Sequence, residues 1–212
     1  MYKLYYYPLN ASMAPHIVLQ ALNVDFELLT VDRDNNAQKS KEYLALNPAG
    51  RIPTLVHGEQ VIFESPAICV YLAESHPEAN LIPAIGNPHR SLFFQWIMYL
   101  TNTLQAEQMV YFYPQRHTLE ASSVEAIRNM QKNRVADIFA LLDKELTDKS
   151  YLVGDSVTVC DYFLFMLVFW SDGFKRMSLS YLNLTKYFKN LVKDPAIIRV
   201  CEIEDCCLKD FQ

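Results

Sequence analysis

The segment from Asn47 to Ile68 constrains the fold most, because loop, strand, turn and helix patterns follow one another in it at short intervals. An Asn-Pro pair and Gly50 are typical of a loop. Two β-rich runs separated by a turn sequence then predict a hairpin, with strands at Thr54-Leu55-Val56 and Gln60-Val61-Ile62-Phe63. Ser65 and Pro66 come next, and they predict the N-cap and the first residue of an apolar helix.

Two features of this segment could bind a ligand. If the Ile52-Pro53 peptide bond is cis, the chain turns sharply and Ile52 can present its backbone N–H and C=O to an extended peptide, as an added strand would. Glu64 and Ser65 stand at the predicted helix start, where free N–H groups attract a carboxylate, and Glu64 could hold an ammonium group. Together they would suit a small zwitterionic peptide; the alternative is an ordinary loop with a trans proline and an N-cap serine.

The order Asn-Pro-x-Gly-x-Ile-Pro-x-Leu, two short strands and Glu-Ser-x-Ala-Ile resembles the glutathione-binding half of the cytosolic glutathione transferases. The resemblance implies that Pro53 follows a cis bond and that the Ile52 backbone pairs with the cysteinyl part of glutathione. It also implies that Glu64 and Ser65 hold the γ-glutamyl end. Glutathione would then be a co-substrate, and no metal is expected.

The residues before this segment predict a β-α-β unit. Strands are expected at Lys3–Tyr7 and Phe26–Val31, with an apolar-faced helix between them and a short irregular helix within residues 33–46. This order predicts a parallel strand pair with a right-handed crossover. With the hairpin and its helix, residues 1–78 are expected to form an α/β thioredoxin-like N-terminal domain.

Residues 89–212 predict an all-α C-terminal domain, which follows a linker containing two prolines and a glycine at Leu81–Pro88. His89–Tyr113 is expected to form one long helix that is apolar on several faces, so it must be covered on more than one side. A core on one side and a second subunit on the other would cover it. We therefore expect a homodimer with twofold symmetry.

Two capping boxes are predicted in this half, one pairing Ser122 with Glu125 and the other pairing Thr158 with Asp161. We interpret the second as structural. It is also similar to the cap box of the glutathione-transferase helical domain, so the resemblance extends over essentially the whole chain.

Composition argues against several classes of partner and site. With a net charge of −5 and no basic run, nucleic acid is not an expected partner. The longest apolar run, Tyr162–Trp170, is too short to span a membrane, and the N-terminus has no signal-peptide layout. The five cysteines lack disulfide-framework spacing, which favours a cytoplasmic protein. Three of them cluster near the C-terminus without a paired Cys-x-x-Cys or a nearby histidine, so no metal site is expected there.

The activity that the resemblance implies requires the glutathione thiol to be ionised at neutral pH. A free thiol titrates near about 8.5, and one unit of pKa corresponds to about 1.36 kcal/mol. A helix N-terminus supplies roughly 0.3–2 kcal/mol and a hydrogen bond to a charged group about 1.5–3 kcal/mol, so one donor at the first turn is sufficient. The candidate catalytic residues are Ser12, then Tyr6, then Asn10; the alternatives are an N-cap serine, a packed strand tyrosine and a loop asparagine.

The pattern from Lys3 to His16 is most similar to the bacterial beta class of these transferases. That class usually has a cysteine where this chain has Ala11, and a histidine on the long helix where the best match is Gln105. In tyrosine-type classes the equivalent catalytic position is Tyr6, and in serine-type classes it is Asn10. The catalytic subtype stays open, and the lack of cysteine in residues 1–68 argues against disulfide chemistry.

The leading hypothesis is a detoxifying glutathione transferase that conjugates the glutathione thiol to a small hydrophobic electrophile. The electrophile is expected near an aromatic group of the helical domain, namely Tyr111, Phe112, Tyr113 and Phe169. One alternative is a non-catalytic binding or scaffold protein on the same fold, although retention of Ile52-Pro53 and Glu64-Ser65 argues against it. Another is a glutathione-dependent isomerase or dehalogenase.

Overall fold

The structure, a computed structural model, describes residues 1–211. Its first half contains a four-stranded sheet in the order β2-β1-β3-β4. The strands are β1 Tyr2–Tyr6, β2 Phe26–Thr30, β3 Thr54–His57 and β4 Gln60–Phe63. β1 pairs parallel with β2 and antiparallel with β3, while β3 and β4 form the predicted hairpin. The predicted β-α-β unit is therefore confirmed.

Three helices complete this half: α1 Met13–Leu22, α2 Lys41–Leu46 and α3 Ser65–Ser75. α1 is the crossover between β1 and β2, and residues Met13 to Leu19 are all buried. One face of α1 packs on α3, whereas other contacts join it to two helices of the second half. α1 is therefore covered from both halves of the protein, and it places the turn after β1 at their boundary.

The second half is helical: α4 Arg90–Tyr99, α5 Ala106–Phe112, α6 Val124–Glu145, α7 Val159–Phe169, α8 Asp172–Ser178, α9 Leu182–Leu191 and α10 Pro195–Ile203. The predicted long helix is present as α4 and α5, joined by a six-residue π-helical segment at Leu100–Gln105. α7 is the centre of this half, because ten of its eleven residues are buried.

Asp161 fixes the start of α7. It forms the predicted capping box with Thr158 and accepts the Thr158 N–H at 2.7 Å. The same carboxylate accepts the Leu152 N–H and the Tyr187 hydroxyl, both at 2.8 Å. Burial raises the pKa of the Asp161 carboxyl, and these hydrogen bonds oppose that rise. The structural role predicted for this motif is consistent with all of these contacts.

Other predicted helix starts are wrong in detail. The N-cap of α3 is Glu64, in a left-handed conformation with φ 72°, so Ser65 is the first helical residue. The Ser122–Glu125 capping box does not form, because a 3₁₀ turn occupies Ala121–Ser123 and α6 begins only at Val124. The Glu125 side chain instead pairs with Arg128 one turn later, at 2.9 Å.

Within residues 1–211, no helix combines the length and the apolar character that crossing a membrane requires. The same residues include no group of three or more His, Cys, Asp or Glu side chains arranged to hold a metal ion.

Candidate functional site

A cavity of about 920 Å³ lies between the sheet half and the helical half. From the first half it is lined by the turn after β1, the loop and helix start after β2, the loop before β3 and the start of α3. The π segment, α5, the turn after α5 and the end of α7 line it from the second half. The residues are Leu9, Asn10, Ala11, Arg33, Asn36, Gln38, Lys39, Asn47, Ala49, Gly50, Arg51, Ile52, Pro53, Glu64, Ser65, Thr101, Gln105, Ala106, Met109, Phe112, Tyr113, Arg116 and Trp170.

The Asn47 side chain stabilises the loop before β3 through hydrogen bonds. Its buried side-chain amide donates to the Arg51 carbonyl at 2.8 Å and to Thr54 Oγ1 at 3.1 Å. The Tyr43 hydroxyl donates to the same Arg51 carbonyl at 2.8 Å. These bonds hold the residue before Ile52 from two sides, which explains why an Asn-Pro pair opens the motif.

Gly50 is required by both conformation and space. Its φ is 57°, in the left-handed region that glycine adopts without strain. A Cβ at this position would lie 2.7 Å from Lys39 Nζ and 3.0 Å from the Gln38 carbonyl oxygen. The loop therefore packs directly on the segment between β2 and α2, and both reach the cavity.

The Ile52-Pro53 peptide bond is cis, as predicted. Ile52 lines the cavity, and neither its N–H nor its C=O makes a hydrogen bond to any residue in the described part of the chain. A backbone amide next to a cavity can bind an extended peptide in the manner of an added strand. The structure therefore leaves the Ile52 backbone available for such pairing.

Glu64 and Ser65 meet the same cavity at the N-terminus of α3. The Ser65 side chain is buried, and its hydroxyl has no hydrogen-bond partner within residues 1–211 apart from a weak interaction with the Cys69 thiol. Burial raises the pKa of that thiol well above its ordinary value, so Cys69 stays neutral and unreactive. The helix start thus offers a hydroxyl and free N–H groups to an anion.

The three predicted catalytic residues, which lie in and beside the turn after β1, differ in their contacts and in their access to the cavity. Ser12 is fully buried, and its hydroxyl donates to the Tyr7 carbonyl at 2.9 Å and accepts the Tyr7 N–H at 3.2 Å. The Tyr6 ring packs edge-on to His16, with 6.1 Å between ring centroids. Neither residue lines the cavity, whereas Asn10 does. The Asn10 Oδ1 accepts the Ala11 N–H at 2.7 Å. The amide NH2 group of Asn10 (Nδ2) has no hydrogen-bond partner among the described residues.

A buried contact with a residue near the C-terminus holds this turn, and no local sequence pattern predicts it. Glu204, just after α10, accepts the Leu9 N–H at 2.8 Å with one carboxylate oxygen. Its other oxygen lies 2.7 Å from His16 Nδ1, and both side chains are fully buried. Leu9 has a φ of 55°, so this bond supports a left-handed residue directly before Asn10.

The helical half supplies the apolar wall. Of the four predicted aromatic residues, Phe112 and Tyr113 line the cavity, together with Met109 and Trp170, which the prediction did not include. The other two are partly buried and pack against the core: Tyr111 packs on Phe174 with 4.8 Å between centroids, and Phe169 stacks on Phe211 at 5.3 Å. Gln105 reaches the cavity from the π segment, the kind of helix irregularity that is frequent at functional sites.

Four cations also line the cavity and were not predicted: Arg33, Lys39, Arg51 and Arg116. They come from three separate loops and form no run in the sequence, so no local pattern could have identified them. Among the described residues that line the cavity, Glu64 alone is acidic. The cavity is therefore positively charged in a chain whose net charge is −5.

Comparison with known proteins agrees with both halves. Residues 1–74 match the family model of the glutathione S-transferase N-terminal domain, and residues 103–195 match that of the C-terminal domain. The chain is 28% identical to a glutathione S-transferase of Xanthomonas campestris over 95% of its own length and 98% of that protein. It is 30% identical to glutathione S-transferase 3 of Zea mays, over 75% of this chain and 73% of the maize protein.

Solved structures extend the similarity to the three-dimensional fold. A sphingomonad glutathione S-transferase complexed with glutathione superposes with a TM-score of 0.82 at 26% identity, covering 97% of this chain and 100% of that one. A bacterial beta class glutathione S-transferase of Sphingomonas chungbukensis gives the same TM-score, identity and coverage. On the strength of both domain models and these relatives, the chain belongs to the glutathione S-transferase family, a family of transferases.

Proposed function

We propose that this protein binds glutathione in the cavity and conjugates its thiol to a small hydrophobic electrophile. One observation carries the proposal: the unpaired backbone of Ile52 and the buried, almost unpartnered hydroxyl of Ser65 line the same cavity. A tripeptide with a carboxylate at one end and an extended middle suits that pair of sites. The glutathione complex of the sphingomonad relative supports the same ligand.

Each part of glutathione then has a partner. The γ-glutamyl carboxylate binds the Ser65 hydroxyl and the free N–H groups of α3, and the exposed Glu64 binds the ammonium group. The cysteinyl N–H and C=O pair with the Ile52 backbone, ahead of Pro53. Lys39 and Arg51 are the cations available to the glycyl carboxylate. The electrophile occupies the apolar wall across the cavity.

The residue that stabilises the thiolate is a hydrogen-bond donor of the first turn, and the geometry favours Asn10. Its amide NH2 group has no hydrogen-bond partner in the described chain. Of the three predicted catalytic residues, Asn10 is the one that lines the cavity. The hydroxyl of Ser12 already donates to and accepts from the backbone of Tyr7. Ser12 therefore acts by shaping the turn, and Tyr6 acts as a packed strand residue.

Ultraviolet titration of bound glutathione tests this mechanism. A free thiol has a pKa of about 8.5. The pKa of the glutathione thiol in the wild-type complex is expected to lie one to two units below that value. Asn10→Ala should raise it and lower turnover, whereas Tyr6→Phe and Ser12→Ala should leave the titration near that of the wild type if they remain folded. A wild-type complex that titrates like free glutathione would exclude thiol activation and favour the scaffold alternative.

The assembly and the domain boundaries complete the proposal. Residues 1–78 form the glutathione-binding domain and residues 89–212 the helical domain. A homodimer is supported by apolar side chains left exposed on α4 and on the sheet edge, Leu92, Met98, Val61 and Phe63. Sedimentation at micromolar concentration should give twice the mass of the chain.

A cytoplasmic location is consistent with the use of glutathione and with five free cysteines, of which three are buried.

A further inference from the structure

Two guanidinium groups meet on one tyrosine at the rim of the cavity. Arg33 donates to the Tyr113 hydroxyl at 3.0 Å, and the Arg116 guanidinium lies over the face of the same ring, 4.1 Å from its centroid. Arg33 comes from the loop after β2, and the other two residues come from the end of α5 and the turn after it. The cluster therefore spans both halves of the protein, and all three residues line the cavity.

Neither arginine is neutralised. Within residues 1–211, no carboxylate lies within ion-pair distance of Arg33 or Arg116, although ion pairs form at many other places on the surface. The two acids next to Arg33 in sequence bond elsewhere: Asp32 accepts from Asn35, and Asp34 accepts from the Tyr7 hydroxyl. Two like charges held close together without a counter-ion repel each other, and an anion between them would remove that cost.

Glutathione does not need this cluster. Its two carboxylates are assigned to the start of α3 and to Lys39 or Arg51. The Arg33–Tyr113–Arg116 cluster instead continues the apolar wall of Met109, Phe112 and Trp170, where the electrophile is placed. The two arginines of this cluster are therefore not needed to bind the carboxylates of glutathione.

From this we infer that the second substrate is an anionic electrophile: an apolar, preferably aromatic, group that carries a carboxylate. This inference rests on the proposed function and names its substrate class. Guanidinium groups bind a carboxylate through paired N–H donors, and the Tyr113 ring provides a flat apolar neighbour for an aromatic body. Arg33 and Arg116 are specificity determinants, since the carboxylate they bind does not react.

The reaction on a chloronitrobenzoate illustrates the chemistry. The thiolate sulfur donates an electron pair to the ring carbon that bears chlorine, and a C–S bond forms. The C–Cl bond then breaks, and chloride leaves with its electron pair. The thiol proton has already passed to solvent, no oxidant or reductant is involved, and the ring carboxylate is unchanged.

The test compares 4-chloro-3,5-dinitrobenzoate with its methyl ester, which lacks the negative charge and carries one additional methyl group. Each kcat/KM is divided by the rate of the uncatalysed reaction with glutathione. The wild-type protein should prefer the acid at least about tenfold, which corresponds to about 1.4 kcal/mol. The preference should fall toward unity in the Arg33→Gln/Arg116→Gln double variant and at high salt. Arg199→Gln removes another exposed guanidinium, on α10 and outside the cavity lining, and should keep the preference.

An acid that is no better than its ester, or a preference that survives in the double variant, overturns the inference while leaving the transferase activity intact. Failure to conjugate either compound would refute the proposed function instead. Titration calorimetry then decides the inference separately, because it measures binding of the acid and of the ester without turnover. Tighter binding of the acid, lost in the double variant, supports the anion site; equal binding of both compounds overturns it.

Discussion

Replacing Glu204 with alanine is expected to destabilise the protein strongly and to loosen the first turn of the site. The Glu204 carboxylate is fully buried, with one oxygen 2.7 Å from His16 Nδ1 and the other accepting the Leu9 N–H at 2.8 Å. Truncation removes both bonds at once. It also leaves the buried His16 imidazole without a hydrogen-bond partner in the described chain, because its Nε2 already lacks one.

The magnitude follows from these two contacts. A hydrogen bond to a charged group contributes about 1.5–3 kcal/mol, and truncation of the Glu204 side chain removes two such bonds. We therefore expect Glu204→Ala to lower the free energy of unfolding by about 3–5 kcal/mol, a large part of the roughly 5–15 kcal/mol typical of a protein. Glu204→Gln keeps one acceptor oxygen and should cost about half as much.

Urea unfolding followed by circular dichroism measures this change, and Glu202→Ala is a matched control. Glu202 lies in the last turn of α10, two residues before Glu204, and pairs with Arg199 at 3.0 Å, but both side chains are largely exposed, so its loss should cost about 0–1 kcal/mol. Since Leu9 precedes Asn10, Glu204→Ala should also raise the pKa of the bound glutathione thiol and lower turnover. A loss of stability no larger than that of Glu202→Ala would refute the reasoning.

Three further changes test other parts of the structure. Ser65→Ala should weaken glutathione binding by about 1–3 kcal/mol in calorimetry, and Glu64→Gln should weaken it too; unchanged affinity in both would mean that the γ-glutamyl end binds elsewhere. Gly50→Ala should cost about 1–3 kcal/mol in thermal unfolding, because its φ is 57° and its Cβ would lie 3.0 Å from the Gln38 backbone carbonyl oxygen; a neutral result would show that the loop adapts. Burial raises the pKa of Asp161, so the folded state binds its proton more tightly than the unfolded state does. The stability of the wild type relative to Asp161→Asn should therefore fall as pH rises from about 3.9 through the raised pKa, and a difference that grows over that range would contradict the raised value.

The hairpin from Thr54 to Phe63 and the cis bond before Pro53 could be predicted because their determinants are local. Strand residues, a turn and a proline lie within ten positions of one another, and the family resemblance added the cis geometry. The helix start at Ser65 was one residue off because Glu64 takes the left-handed conformation. A serine before a proline does not reveal the conformation of the residue that precedes both.

The contacts that hold the site could not be predicted in the same way. Glu204 and Leu9 are 195 positions apart, and the two arginines on Tyr113 come from different halves of the chain. Glu204, Arg33 and Arg116 are ordinary charged surface types when each is considered alone. Only the packing of α10 against α1 brings Glu204 to the first turn.

The order of the catalytic candidates changes for a related physical reason. Ser12 was placed first because it precedes a helix, where a hydroxyl commonly caps free N–H groups. In the structure its hydroxyl instead bonds to the backbone N–H and C=O of Tyr7, and the residue is buried and does not line the cavity. Sequence spacing locates the helix start, but the direction of each side chain depends on the turn. Glu204, which follows α10, accepts the Leu9 N–H and holds that turn in place. The position of the Asn10 donor therefore depends on a residue near the C-terminus.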